Sequence, residues 1–182
     1  KPKYFLLENV KMKKEYEDII TQALCVQPIE INSNLVSAQN RKRLYWTNIP
    51  NISQPEDKEI YFTDVISYGV DDKYYLSDKA IAYMNRKVKT NGKDHWQIHP
   101  PAPTKNNKSN TIVANYKAGI PYNVIIEPET DNIRKLTPQE CEILQTIPKN
   151  YTDCASNSQR YKMIGNGWTV DIIAHILGYA QW

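Results

Sequence analysis

The 182-residue chain carries 23 Lys and Arg against 20 Asp and Glu, a formal net charge of +3, with 41% hydrophobic residues. That length can bury a core of ordinary size, and so small a charge excess does not by itself imply a polyanionic partner. Cys25, Cys141 and Cys154 lack CxxC spacing, which argues against a disulfide framework and fits a reducing cytoplasm, and no apolar run reaches membrane-spanning length.

Residues 4–7, Tyr-Phe-Leu-Leu, form a short continuous apolar run that predicts a strand buried on both faces, as in a parallel sheet covered by helices. Met12, Tyr16, Ile19, Ile20 and Ala23 follow at helical spacing. Residues 28–32 and 44–47 combine β-branched and aromatic side chains between turn-like clusters, predicting two more strands with 39–43 as a loop between them. From Asn51 to about Asn110 the pattern weakens, apart from a helix expected over 79–86 with Ser77 or Asp78 as its cap. Pro100, Pro101 and Pro103 remove amide donors and restrict their neighbours, so 93–103 reads as a loop or an arm.

Residues 110–115 and 123–126 read as strands around a turn containing Gly119. Thr137 and Glu140 then form a T-x-x-E capping box, with Pro138 in the first helical position and Leu136 placed to staple against Cys141. That helix is expected to run to about Ile147, where Pro148 stops it. Past Gly167, the residues Val170, Ile173, Ala174 and Leu177 mark a last amphipathic helix.

The charge is unevenly spread. Arg86, Lys87, Lys89, Lys93, Lys105, Lys108 and Lys117 face a single acid, Asp94, whereas Glu56, Asp57, Glu59, Asp64, Asp71 and Asp72 make the preceding stretch acidic. His95 and His99 stand four apart, but Pro100 and Pro101 break the helix that would pair them, and no metal site is expected.

Four segments occur in an informative order: Glu8-Asn9-Val10, Gln39-Asn40-Arg41-Lys42-Arg43, Arg134-Lys135-Leu136-Thr137-Pro138-Gln139-Glu140, and Gly165-Asn166-Gly167-Trp168-Thr169-Val170. Together they resemble the ENV, QxRxR, RxLTPxE and GN-x-V motifs of the DNA (cytosine-5) methyltransferases. The ordered set is far more specific than any one motif. The family's Pro-Cys catalytic loop and glycine-rich cofactor loop both precede ENV, and neither is found here. The resemblance therefore implies the C-terminal portion of such an enzyme without its nucleophile.

The implied fold class is α/β: the rear part of an S-adenosylmethionine-dependent methyltransferase sheet joined to a small, mostly β target-recognition domain. Residues 1–60 and 132–182 are expected to belong to the catalytic domain, with 61–131 inserted between them as the recognition domain. The helices over 137–147 and 168–179 would return to the catalytic domain.

In the family's reaction a cysteine adds to carbon 6 of cytosine, and the ring nitrogen N3 gains electron density that a nearby proton source can relieve. By resemblance Glu8 meets N3 and the exocyclic amine, with Asn9 supporting the loop. Arg43 meets the base carbonyl O2, and Arg41 lies beside the reacting cysteine and a phosphate; an isolated Arg-Lys-Arg run would otherwise read as a solvated turn. Asn166, Gly167 and Trp168 would contact S-adenosylmethionine, glycine permitting close approach and positive φ. Gly167 stands where the family usually has Ser, losing a hydroxyl, and Trp168 reads equally as a core tryptophan at a helix start. Gln39, Thr111, Lys105, Lys108 and Lys117 are the expected DNA contacts, Thr111 at a phosphate and Lys117 in a loop facing the major groove.

The implied substrate is double-stranded DNA, methylated at a flipped cytosine in a bacterial or phage restriction-modification setting. The implied partner is the N-terminal half of the enzyme, in cis or in trans. Alone, the chain is expected to be inactive and to self-associate through its truncated edge or to hold a poorly protected sheet. A subunit of a split methyltransferase, an inert DNA-binding or regulatory module, and an enzyme acting on RNA are the alternatives.

Overall fold

The computed structural model describes residues 2–90, 93–96, 107–114 and 121–181, with 87–90 and 93–96 described by backbone alone. Strand β1 (Leu6–Val10) leads through helix α1 (Lys14–Leu24) to β2 (Ile29–Asn32), and β3 (Lys42–Thr47) inserts between the two strands, antiparallel to both. Leu44, Tyr45 and Trp46 are consecutive in β3 and all buried, so both faces of the sheet are covered. Trp46 Nε1 donates to Thr21 Oγ1 of α1 at 2.9 Å on one face. On the other, Tyr45 and Ile31 pack against Ile172, Ile173 and Ile176 of α5 (Val170–Leu177).

Strand β1 departs from its expected form. It begins later than residue 4 and extends through Val10, so Glu8 and Asn9 lie within the ladder, paired with Tyr45 and Leu44. It is an edge strand in this sheet, with Leu7 and Val10 exposed, rather than a strand buried on both faces. The apolar run is therefore only partly covered among the described residues. Tyr16 and Ile19 of α1 are exposed as well, and α1 contributes no buried residue.

The middle of the chain is built from short pieces. Helix α2 (Asp78–Met84) takes its cap from Ser77, as expected. Strands β4 (Lys87–Thr90) and β5 (Lys93–Trp96) pair as a hairpin, so the first four residues of the expected arm are strand, and the proline-containing remainder lies outside the described residues. Strands β6 (Val124–Ile126) and β7 (Ile133–Lys135) form a second hairpin, whose turn is closed by Glu127 and Asp131, the latter at a φ of 55°. Of the strand expected over 110–115, the described residues 110–114 form no ladder, and residue 115 and the turn at Gly119 lie outside the described residues.

Helix α3 (Pro138–Leu144) starts at the expected capping box: Thr137 Oγ1 accepts from Glu140 N at 3.2 Å, and Glu140 Oε2 accepts from Thr137 N at 2.7 Å. It ends three residues before the expected Ile147, and Thr146 turns to a φ of 54°. Helix α4 (Asn157–Asn166) was not expected. Its polar stripe hides the pattern, and Gly165 and Asn166 lie inside it. Leu136, Cys141, Leu144 and Ile164 join Phe62, Ile112 and Ile125 in one core. Burial and the neighbouring carboxylates of Glu140 and Glu142 push the Cys141 thiol well up, so it is an inert core thiol.

Two charged knots tie this half together. Arg134 is fully buried; Nε meets Glu127 Oε1 at 2.7 Å, Nη1 and Nη2 meet the two oxygens of Glu140 at 3.0 and 2.9 Å, and Nη2 also donates to Ser67 O. Burial works against the guanidinium charge, but Glu140 and then Glu127 outweigh it and hold its pKa up. Removing one partner from a buried ion cluster leaves uncompensated charge. Arg134→Met is accordingly expected to cost about 3–5 kcal/mol, read as a large fall in thermal midpoint, whereas replacing the exposed Lys73 of the Asp71 pair should change little.

Glu142, also fully buried, accepts from Asn150 N at 2.7 Å, Thr152 N at 2.9 Å, Thr152 Oγ1 at 2.5 Å and Arg160 Nη2 at 3.1 Å. Burial disfavours its charge, yet these hydrogen bonds, Thr152 foremost, hold its carboxyl below the ordinary value of 4.5. Such a carboxylate stabilises the fold fully above its unfolded pKa, and the contribution is lost as pH falls through the lower folded value. Glu142→Gln should therefore be less stable at neutral pH and lose less additional stability on acidification below pH 4.5, measured by denaturant unfolding across the range.

Candidate active site

The antiparallel register places Glu8 opposite Tyr45, and Arg43, two residues before Tyr45, projects from the same face of the sheet. Diagonal neighbours of this kind are within reach of long side chains. Arg43 Nε meets Glu8 Oε1 at 2.8 Å, both side chains mostly covered at 13% and 15% exposure, while Arg43 Nη1 donates to Lys42 O at 2.8 Å. The two residues meet because Lys42 and Arg43 belong to β3 rather than to the loop expected there. Tyr45 beneath them has its phenol pushed up to about 12 by burial, then by the Glu8 charge, and it remains protonated.

Arg41 is turned inward. It is 5% exposed; Nη1 donates to Ile112 O at 3.1 Å and Nη2 to Gly167 O at 2.9 Å. Burial, and secondarily the charge of Arg43, lowers its pKa to about 10, with Glu8 opposing. Asn32 Oδ1 fixes the backbone here by accepting from Arg41 N at 2.9 Å. A guanidinium so placed joins three separate chain regions from inside the fold.

Gln39 likewise faces inward and is fully buried. Its Nε2 donates to Leu144 O at 2.9 Å and Gln145 Oε1 at 3.2 Å, and its Oε1 accepts from Ile112 N at 2.8 Å. With every one of these atoms engaged inside the core, Gln39 makes the site rather than the DNA-facing surface. Thr111 Oγ1 donates to Asn40 O at 2.6 Å, which sets it beside the same loop. Lys108 departs most from the expected phosphate contact: Nζ donates to Asn34 O at 2.9 Å and Ile60 O at 2.6 Å and lies 5.0 Å from the Tyr61 ring centroid. Burial lowers its pKa, and the ammonium pins segments together. Lys105 and Lys117 lie outside the described residues.

Ser109 makes a short parallel bridge beside Gln39, its N–H donating to Ala38 O at 2.7 Å and its carbonyl accepting from Asn40 N at 2.9 Å, and beyond it residues 110–112 are held by side chains instead of a strand ladder. Asn123 Oδ1 accepts from Asn110 N at 2.7 Å and its Nδ2 donates to Asn110 O at 3.1 Å, a side-chain amide standing in for a strand neighbour. Gly165 packs so closely on this segment that an added Cβ would lie 2.3 Å from Ala114 N. Close approach is thus real at Gly165, while the positive φ expected at this motif is absent: Gly167 has a φ of −72°. Asn166 and Trp168 are exposed, Trp168 at 49%, so the core-tryptophan alternative fails. An accessible indole and an accessible carboxamide are groups able to stack on and hydrogen-bond to an adenosyl cofactor.

Several site residues were not anticipated. Gln145 and Thr169 are buried and bonded to each other at 2.8 Å, and Ser33 Oγ donates to Thr169 Oγ1 at 2.8 Å. Gln145 follows Cys141 and Leu144 on the inward stripe of α3, and a polar residue on such a stripe is the signal that could have found it.

The sequence profile described as C-5 cytosine-specific DNA methylase matches residues 1–181. The chain is 32% identical over 198 residues to the type II methyltransferase M1.ScrFI of Lactococcus lactis subsp. cremoris, covering 95% of this chain and 50% of that protein. It is 29% identical over 195 residues to M.NlaX of Neisseria lactamica, covering 97% and 62%. The chain thus spans about half to two-thirds of these relatives. Among solved structures, Entamoeba histolytica methyltransferase EhMeth superimposes with a TM-score of 0.73 at 19% identity, covering 98% of this chain and 62% of that one; S. pombe Dnmt2 methyltransferase gives 0.71 at 14%, covering 97% and 64%. These likenesses agree with the α/β fold expected from the motifs, and the full-length profile match makes the chain a member of the C-5 cytosine-specific DNA methylase family.

Proposed function

We propose that this chain is the C-terminal portion of a restriction-modification DNA cytosine-5 methyltransferase, acting on a cytosine flipped out of duplex DNA together with a polypeptide that carries the Pro-Cys loop. The observation that carries this reading is the Glu8–Arg43 pair, a carboxylate fixed on a strand at 2.8 Å from a guanidinium within the motifs that name the family. The exposed Leu7, Val10, Tyr16 and Ile19 around β1 and α1 support a partner surface on that side.

Glu8 recognises the Watson–Crick edge of cytosine, accepting from the exocyclic amine and sharing a proton with N3 as the nucleophile adds to carbon 6. Arg43 holds Glu8 through Nε and offers its remaining N–H groups to carbonyl O2. Arg41 acts from behind, holding the Ile112 and Gly167 carbonyls that frame the site. Asn166, Gly167 and Trp168 hold S-adenosylmethionine, which supplies the methyl group. Thr111, Lys105 and Lys117 contact the DNA, whereas Gln39 supports the loop that carries the arginines.

Incorporation of labelled methyl into DNA tests the assembly: the chain alone stays at background, and adding the Pro-Cys polypeptide brings transfer that requires both parts. Transfer by the chain alone would overturn the partnership, and transfer to RNA but not DNA would overturn the substrate. In the active assembly, Glu8→Gln keeps the shape but cannot share the proton, so single-turnover methylation should slow by about 100- to 10,000-fold with DNA affinity nearly unchanged. A rate within a few-fold of wild type would remove Glu8 from the chemistry.

A further inference from the structure

Gln145 stands at the end of α3, and its side-chain amide is saturated. Nε2 donates to Ile164 O at 2.9 Å and Gly167 O at 3.3 Å; Oε1 accepts from Gln39 Nε2 at 3.2 Å and Thr169 Oγ1 at 2.8 Å. Two donors and two acceptor directions are all that a carboxamide has. The same residue's backbone carbonyl accepts from Val170 N at 3.0 Å, the first residue of α5. One buried residue therefore caps the end of α4 and receives the start of α5, with the motif around Gly167 between them.

The path through this amide runs parallel to Arg41. From Ile112 N it passes to Gln39 Oε1, from Gln39 Nε2 to Gln145 Oε1, and from Gln145 Nε2 to Gly167 O. Arg41 spans the same two residues, from Ile112 O to Gly167 O. The two bridges close a ring. Because Gly167 is extended and lies past the end of α4, its carbonyl direction is set by these donors and by no helical bond of its own. A guanidinium has fixed fork geometry and can meet both carbonyls only while their separation is held.

We propose that Gln145 is the positioning residue for Arg41: through Gln39 and the Gly167 carbonyl it fixes the gap that the guanidinium spans, and thereby the seat of the loop leading to Arg43. This deepens the methyltransferase reading and rests on it for its catalytic consequence, while the positioning itself is a property of this chain.

The test pairs a spectroscopic readout on the chain with kinetics on the assembled enzyme. Gln145→Met keeps the volume and removes all four hydrogen bonds. In the folded variant, the slowly rotating Arg41 guanidinium protons seen by ¹⁵N-edited NMR should collapse into the averaged signal of a free arginine. In the assembly, kcat should fall by about 100-fold, with KM for DNA changed less than about twofold. In an Arg41→Met background the same substitution should add nothing, because the group it positions is gone. If Gln145→Met does not fold, Thr169→Val, which removes one bond to the amide, should show the same loosening of Arg41 in smaller degree. Unchanged Arg41 signals in either folded variant, or losses that simply add in the double variant, would overturn the proposal. Loosened Arg41 signals in a chain that shows no methyl transfer with any Pro-Cys partner would uphold the positioning and sink the proposed function.

Discussion

The site depends on one buried cation. Among the described residues Arg41 meets no carboxylate directly but the carbonyls of Ile112 and Gly167, and its desolvation is partly offset by these two hydrogen bonds and by Glu8 at longer range. Hydrogen bonds to a charged donor are roughly twice as strong as neutral ones, which lets two carbonyls hold a charge inside the fold. A lysine would present a point charge with flexible donors and would not fix both carbonyls in one plane. Through this contact the arginine loop, residues 107–114 and the end of α4 take one arrangement.

Around it, amide side chains do what a strand ladder does elsewhere. Asn123 pairs with both backbone groups of Asn110, Gln39 with Ile112 N, and Arg41 with Ile112 O. Each buried backbone group must find a partner, and side chains can supply it where two strands cannot lie flat together. The result seats residues 107–114 against Gly165 at a distance that excludes a Cβ. Lys108 fastens the beginning of this stretch to the Asn34 and Ile60 carbonyls, spending on internal contacts a charge that its sequence neighbourhood would assign to DNA.

The charged residues divide by depth. Arg134 with Glu127 and Glu140, and Glu142 with Arg160, are sealed into the core and knot β7, α3, α4 and the loops at Ser67 and Thr152 together. Glu8 and Arg43 sit higher, still partly accessible. Arg43 Nε reaches Oε1 of Glu8 at 2.8 Å while 13% and 15% of the two side chains stay exposed. Rigid knots below and a reachable pair above are what a preorganised site requires.

The order of motifs, the capping box at Thr137, and the helix and strand carriers of α1, β2, β3 and α5 were legible in the sequence, because caps, periodicity and short motifs are local properties. Glu8 and Arg43 were each recognisable as residues of interest from those motifs, but their contact required the β1–β3 register, which pairs residues 33 or more positions apart. Helix α4 escaped because its buried stripe includes Arg160 and Gly165 and carries little apolar periodicity. Which polar side chains turn inward could not be read from residue type at all. Gln39, Arg41 and Lys108 look like surface groups in one dimension, and Gln145 like a helix end; each is buried or pinned because a distant carbonyl or amide needs the partner. The sequence by itself determined the family and the local elements, since those follow from spacing along the chain. Only the tertiary structure decided which polar groups are scaffold and which face outward, since that depends on what the fold brings against each one.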